Sequence, residues 1–80
     1  MNEKMEFRIK NVMSAVFEIP IDDLDDFSSS DNIVSWDSLK HMNLIIALEE
    51  EMKIDFSENE IIKMTNYKII KKIIDYREYS

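Results

Sequence analysis

The sequence contains no cysteine and no glycine, and it has one proline and one histidine among its 80 residues. Without cysteine the chain can form neither a disulfide nor a cysteine-based zinc site, and a single histidine argues against other zinc sites. The lack of glycine excludes the glycine-dependent turn that carries the nucleophile in many hydrolases. A chain this short holds one hydrophobic core, which predicts a single domain over residues 1–80.

Long apolar runs are also missing from the sequence. No stretch approaches the length that spans a membrane, and the polar residues 1–6 do not resemble a signal peptide. We therefore expect a cytoplasmic protein that makes no membrane contact.

Basic side chains are scarce in the middle of the chain. Residues 18–60 carry 13 acidic and 2 basic side chains, a balance of −11, while the two ends carry 4 acidic and 8 basic, so that the net charge is −7. Such an acidic surface repels phosphate backbones, which argues against nucleic-acid partners, and it attracts proteins with basic patches. The simpler alternative is a solvated surface that serves solubility.

Helical periodicity is what the sequence does have. Apolar residues at spacings of three and four predict a first helix over residues 3–17, which Pro20 cannot continue. The same spacing predicts a second helix over residues 38–52. The connection between them, residues 19–37, is long for a small domain, and a long loop of this kind is often functional.

The remainder of the chain predicts two further helices. Ser57 and Glu60 match a capping box that opens a short helix ending near Met64, and Thr65 or Asn66 can cap the last helix. No segment alternates convincingly enough to be a strand. The predicted fold is all-α: a four-helix bundle of three main helices plus a short third helix, with a long first loop.

Several side chains can be assigned to the core or to the surface from this pattern. Apolar residues of the long loop are expected to hold it against the bundle, with one helical turn among them; they are Ile21, Leu24, Phe27, Ile33 and Val34. The expected core of the later helices includes Ile45, Leu48, Ile62 and Ile70. The expected solvated side of the last helix carries Lys68, Lys71 and Lys72.

The second helix is apolar over more than half of its circumference. One core-facing stripe needs less than this, so part of the surface can face a bound group or a partner. The alternative is a central helix with neighbours on two sides, in which Leu39 and Met42 are ordinary core residues.

Asp37, Ser38 and His41 supply the residue types of a serine-hydrolase triad, but their arrangement does not support catalysis. Asp37 directly precedes the serine and is poorly placed to orient the histidine, and no oxyanion hole is evident. We expect no enzymatic activity and an exposed His41. The loop carboxylates also lack the spacing of an EF-hand, so no dedicated metal site is expected; they are Asp22, Asp23, Asp25 and Asp26.

Ser38 lies where the long loop meets the second helix, and its simplest role is that of the N-cap. A helix N-terminus also favours anions, so a phosphodiester formed on the Ser38 hydroxyl would be stabilised there. The serine would need no neighbouring base, because a separate enzyme can supply the catalysis.

Four segments together resemble the acyl carrier protein family, and the similarity runs in register over most of the chain. They lie at residues 37–39, 47–51, 54–56 and 73–76 and read Asp-Ser-Leu, Ala-Leu-Glu-Glu-Glu, Ile-Asp-Phe and Ile-Ile-Asp-Tyr. The resemblance implies that Ser38 carries 4′-phosphopantetheine, added from coenzyme A by a phosphopantetheinyl transferase. The thiol of this arm would hold acyl or aminoacyl groups as thioesters and present them to acyl-activating, acyl-transferring or synthase enzymes.

The resemblance also implies a partner surface on the second helix, on a protein that acts as a monomer. Charged members of this surface would pair with Arg or Lys of partner enzymes, and apolar members would dock into shallow pockets. The matching positions are Asp37, Leu39, Met42, Ile46, Glu49 and Glu50. The alternative function is an unmodified acidic helical module that binds a basic partner.

Three positions depart from the pattern of fatty-acid carriers. Trp36 stands where that pattern usually has glycine, and Lys40 and Asn43 stand where acidic residues are common. These differences favour a stand-alone carrier of a specialised pathway, such as one for a modified polyketide, a peptide or a surface-sugar precursor. Trp36 is expected to pack the loop against the bundle, with shielding of the phosphate or part of a partner epitope as the alternatives.

Overall fold

Four helices make up the protein in the computed structural model, which describes residues 3–79. They are α1 (Glu3–Phe17), α2 (Ser38–Met52), α3 (Glu58–Lys63) and α4 (Tyr67–Tyr79). The all-α prediction is confirmed, since the described residues form helices and turns and one isolated backbone bridge but no strand. Among the same residues, no helix combines the length and apolar character needed to cross a bilayer.

Helices α1 and α2 are each followed by a residue in the left-handed conformation. Glu18, just after α1, has φ of 57°, and so does Lys53, just after α2. The N–H of Lys53 bonds to the carbonyl of Glu49, which closes the last turn of α2. Glycine is the usual residue in this conformation. In a chain without glycine, these two charged residues take its place.

The starts of α3 and α4 follow the sequence prediction. Ser57 accepts a hydrogen bond from the Glu60 N–H at 3.2 Å, and Glu60 accepts one from the Ser57 N–H at 2.8 Å, so the capping box is complete. At α4, the side chain of Asn66 accepts a hydrogen bond from the N–H of Ile69 at 2.8 Å. Asn66, and not Thr65, therefore caps the last helix.

Two ion pairs at opposite ends show that α1 and α2 run antiparallel. Arg8 near the start of α1 pairs with Glu51 near the end of α2 at 2.9 Å, and Lys40 near the start of α2 pairs with Glu18 at 3.7 Å. The hydroxyl of Ser35 also donates to the carbonyl at the end of α1 at 3.0 Å. The loop that precedes α2 is thereby fixed to the end of α1.

One hydrophobic core joins all four helices and the loop. Ile45, Leu48 and Ile70 lie in it as predicted, but the prediction for Ile62 is wrong, because its side chain is 71% exposed. Neighbouring helical residues point about 100° apart, so the half-buried Ile61 leaves Ile62 directed outward. The buried apolar residues are Ile9, Met13, Phe17, Leu24, Trp36, Leu44, Ile45, Leu48, Met52, Phe56, Met64, Tyr67, Ile70 and Ile74.

Apolar side chains hold only part of the long loop. Leu24 is buried and follows a single 3-10 turn, Ile21–Asp23, which confirms the predicted helical turn. The expectation for Phe27 and Val34 is wrong, because Phe27 is 83% exposed and Val34 is fully exposed.

Backbone hydrogen bonds hold the middle of this loop in place. The N–H of Ser30 bonds to the Thr65 carbonyl and the N–H of Tyr67 bonds to the Ser28 carbonyl, both at 2.9 Å. These bonds attach the middle of the loop to the segment before α4, so Phe27 is not needed as an anchor.

Lys71 is also not the solvated residue that the pattern predicted. Its side chain is half-buried and pairs with Glu6 of α1 at 3.1 Å and with Asp26 of the loop at 2.6 Å. Its ammonium group lies 4.7 Å from the centre of the Tyr67 ring. Lys71 therefore joins α1, the long loop and α4.

Candidate functional site

Ser38 is the first residue of α2 and is exposed, but it is not the N-cap. Asp37 takes that position: its backbone is extended and its carboxylate accepts a hydrogen bond from the N–H of Lys40 at 2.8 Å. The N-cap interpretation of Ser38 is therefore wrong, because the neighbouring carboxylate already satisfies the N–H group that a serine cap would bind. The Ser38 hydroxyl is left outside the capping interaction.

The Ser38 side chain borders a surface depression of about 500 Å³ at the junction of the loop and α2. This depression brings together residues from the loop, from the first turn of α2 and from the segment before α4. Its lining residues are Ser30, Trp36, Asp37, Ser38, His41, Met42 and Thr65.

Trp36 forms one wall of the depression and is only 6% exposed. Its indole stacks on the ring of Phe17, with centroids 4.6 Å apart and an angle of 30° between the planes. The expected packing role of Trp36 is thus confirmed. Stacked aromatic pairs of this kind add about 0.5–1.5 kcal/mol beyond the area that they bury.

His41 is half-buried, and the prediction of an exposed side chain is wrong. The indole N–H of Trp36 donates to its Nδ1 at 3.1 Å, and its Nε2 lies 2.9 Å from the Ile61 carbonyl of α3. Both ring nitrogens are therefore engaged, and the Asp37 carboxylate binds a backbone N–H instead of the imidazole. This geometry argues against the hydrolase triad, because His41 has no free nitrogen with which to activate Ser38.

An apolar surface on α2 faces away from the core. The exposed fraction is 71% for Leu39, 46% for Met42 and 52% for Ile46. The alternative in which Leu39 and Met42 are core residues is therefore wrong, and the excess apolar circumference of this helix is explained by a second, exposed face. On α3, the exposed Ile62 follows directly after Ile61, whose carbonyl contacts α2.

Two acidic residues of α2 differ in their solvent exposure and in their hydrogen bonding. Glu50 is exposed, whereas Glu49 is half-buried and its carboxylate accepts a hydrogen bond from the N–H of Phe56 at 3.0 Å. Glu49 therefore holds the connection between α2 and α3 in place. The sequence gives no signal for this contact, because it depends on how the chain turns after Lys53.

The four loop aspartates do not converge on a common point. Asp25 accepts a hydrogen bond from the N–H of Phe27 at 2.8 Å, and Asp26 pairs with Lys71. Within residues 3–79, no group of three or more His, Asp or Glu side chains is arranged to hold a metal ion.

No family model matches the sequence. The chain is 32% identical over 72 residues to a protein named acyl carrier protein from Buchnera aphidicola subsp. Schizaphis graminum, and the aligned part covers 90% of this chain and 87% of that protein. The structure is similar to the solution NMR structure of holo acyl carrier protein from Geobacter metallireducens, with a TM-score of 0.81, 32% identity, and coverage of 91% of this chain and 84% of that one.

Proposed function

The chain belongs to the acyl carrier protein family, and on that basis we propose that Ser38 is the attachment point of a 4′-phosphopantetheine arm derived from coenzyme A. Proteins of this family are carriers, so the chain carries acyl groups and is not an enzyme. When bound, the arm supplies the thiol that a chain without cysteine lacks, and this thiol holds acyl or aminoacyl groups as thioesters. One domain, residues 1–80, would act as a cytoplasmic monomer.

The exposed hydroxyl of Ser38 at the first position of α2 is the observation that carries this proposal. Because Asp37 serves as the cap, the hydroxyl can be modified without loss of the capping bond. The N–H groups at the start of a helix and the positive end of its dipole favour a phosphodiester at this position. The depression beside Ser38 leaves room for the first part of the arm.

The exposed face of α2 is the surface that we propose partner enzymes recognise. Its apolar members, Leu39, Met42 and Ile46, are free to enter shallow pockets on a partner. Asp37 and Glu50 offer negative charge to Arg or Lys around those pockets, and Glu49 adds charge while it holds the N–H of Phe56. The partners would be the phosphopantetheinyl transferase and enzymes that load, transfer or extend the acyl group.

The same exposed face also favours a second candidate function. An apolar stripe flanked by carboxylates could bind a basic partner without any arm, as an unmodified interaction module. The two functions differ in one respect that can be measured, which is whether Ser38 is modified.

Intact mass spectrometry separates the two functions. We expect the purified protein to gain the mass of one phosphopantetheine when it is incubated with coenzyme A and a broad-specificity transferase. The variant Ser38→Ala should gain nothing, while Ser30→Ala, which changes another serine of the same depression, should be modified like the wild type. If the wild type stays unmodified while a control carrier reacts, the carrier proposal fails; if Ser38→Ala is still modified, the site assignment fails.

A further inference from the structure

The two hydrogen bonds of the His41 ring fix which of its nitrogens accepts and which donates. The indole N–H of Trp36 can only donate, so Nδ1 of His41 must accept and carries no proton. The carbonyl of Ile61 can only accept, so Nε2 must carry the proton that lies between them. The His41 ring is therefore held on both sides, as an acceptor at Nδ1 and as a donor at Nε2.

Through these bonds, His41 connects parts of the chain that are far apart in sequence. Trp36 stacks on Phe17 at the end of α1 and bonds to His41 on α2, and His41 bonds to Ile61 on α3. We call these four residues the Trp36–His41 bridge. It links three helices and the long loop at one end of the bundle.

Ser38 lies within this bridge in the sequence, two residues after Trp36 and three before His41. The side chains of Trp36 and His41 line the same depression as Ser38. If His41 were removed, the buried indole N–H of Trp36 would lose its acceptor, and a buried donor without a partner is costly. The indole would then be held in the wall only by its packing on Phe17, and the segment before Ser38 would lose one of its attachments.

We propose that His41 is a positioning residue for the modification of Ser38, a role that rests on the function proposed above. It acts through Trp36, by holding the loop–helix junction in the arrangement that the transferase binds. Without this contact, only a fraction of the molecules would present Ser38 correctly. The affinity of the transferase for the carrier would fall in proportion to that fraction. The rate of transfer within the bound complex would stay the same.

Transferase kinetics with four single variants and one double variant test this role. For His41→Ala we expect the KM of the transferase for the carrier to rise about fivefold, the equivalent of one hydrogen bond, with kcat within about twofold of wild type. His41→Gln, whose amide can both accept from Trp36 and donate to Ile61, should restore KM to within about twofold. Asn11→Ala, an exposed change on α1 away from this face, should have no effect.

The variant Trp36→Phe shows whether His41 acts through Trp36. It keeps a ring against Phe17 but removes the indole donor, so KM should rise by a similar factor, and the double variant with His41→Ala should be no worse than either single one. Effects that add in the double variant would overturn the proposal. If His41→Ala loses its helical circular dichroism, Trp36→Phe carries the kinetic test alone.

Fluorescence reports the same contact without the transferase, because Trp36 is the single tryptophan of the chain. We expect His41→Ala to shift the emission to longer wavelength and to make Trp36 more accessible to acrylamide, and His41→Gln to reverse both changes.

The outcomes distinguish the two proposals. If the wild type is modified normally and His41→Ala has the same KM as the wild type, the role of His41 is overturned but the carrier function is not. The same conclusion follows if His41→Ala lowers only kcat. A wild type that gains no phosphopantetheine would overturn both.

Discussion

The carboxylate of Asp37 accepts a hydrogen bond from the backbone N–H of Lys40 at 2.8 Å and so caps α2 in place of its neighbour Ser38. The two adjacent residues therefore have separate roles at the junction. Asp37 stabilises the start of the helix, and Ser38 presents a hydroxyl at its first position. A serine that served as the cap would have to give up that interaction when modified, and this arrangement avoids the conflict.

The capping role of Asp37 can be measured by substitution. Asp37→Ala should lower the free energy of unfolding by about 1 kcal/mol, because the N–H of Lys40 loses its partner and the helix loses a negative charge at its start. Asp37→Asn should retain most of the stability, since an amide oxygen can accept the same bond. Urea unfolding followed by circular dichroism gives both values. Equal stability of the Ala variant and the wild type would show that the cap contributes nothing.

The sequence was sufficient to predict the parts of the fold that depend on local pattern. The apolar periodicity predicted the bounds of α1 and α2, and Ser57 with Glu60 predicted the start of α3. Each of these predictions depends on residues that lie within one or two helical turns of each other. Such local spacing can be read directly from the sequence.

Several of the errors concern contacts between distant segments. His41 is half-buried because Trp36 and Ile61 meet there, and Phe27 is exposed because backbone bonds hold the loop instead. Ile62 faces solvent because a helix of six residues buries only one side. No local pattern states which of two apolar neighbours faces the core, so these positions required the assembled fold.

The left-handed residue after α2 offers a stabilising substitution. Lys53 has φ of 57°, a conformation that is unfavourable for a residue with a Cβ atom but not for glycine. Lys53→Gly should raise the free energy of unfolding by about 0.5–1 kcal/mol, because glycine adopts this conformation without the steric cost of a Cβ atom. Lys53→Ala is the matched control: it removes the same charge but keeps the Cβ atom, and it should give no such gain. The result to look for is a higher urea midpoint in the glycine variant alone.

The pair between Asp26 and Lys71 predicts a loss of stability in acid. The hydrogen bond from Lys71 lowers the pKa of Asp26 below its usual value of 3.8; burial opposes this shift, and the charges of Lys71, Lys68 and Lys10 add to it. A lowered folded-state pKa means that this contribution is present above the unfolded value and is lost as the pH falls through the folded one.

Asparagine does not titrate, so Asp26→Asn should be free of the loss of stability that protonation of this carboxylate causes in acid. We expect the variant to be less stable than the wild type at pH 7 and the difference to shrink as the pH falls below 3.8. Asp22→Asn, a change of an exposed aspartate in the same loop, controls for the lost charge. A difference that stays constant with pH would contradict the role of the pair.

The excess of negative charge over residues 18–60 predicts that salt stabilises the fold. That segment has 13 acidic side chains and only 2 basic ones, so the mutual repulsion of the carboxylates should exceed the attraction in the few exposed ion pairs. The melting temperature should rise between low and moderate ionic strength, and divalent cations should raise it further. A melting temperature that did not change over this range would contradict the prediction.

The hydroxyl of Tyr67 predicts an unusual response to alkali. It is buried and has no hydrogen-bond partner among the described residues, and burial, with smaller effects of the Glu6 and Asp26 charges and against the opposing charge of Lys71, raises its pKa from 10.0 to about 12. The folded protein thus holds this proton more tightly than the unfolded chain. The contribution is complete below pH 10.0 and is lost as the pH rises toward 12.

Tyr67→Phe should remove that alkaline loss while it keeps the ring under the ammonium groups of Lys71 and Lys10. Because the hydroxyl has no partner to lose, the variant should be as stable as the wild type at pH 7, or more stable by up to about 1 kcal/mol. Urea unfolding at pH 7 and again above pH 10 measures both effects. A Phe variant that is clearly less stable at pH 7 would mean that the hydroxyl has a partner, such as a bound water, in solution.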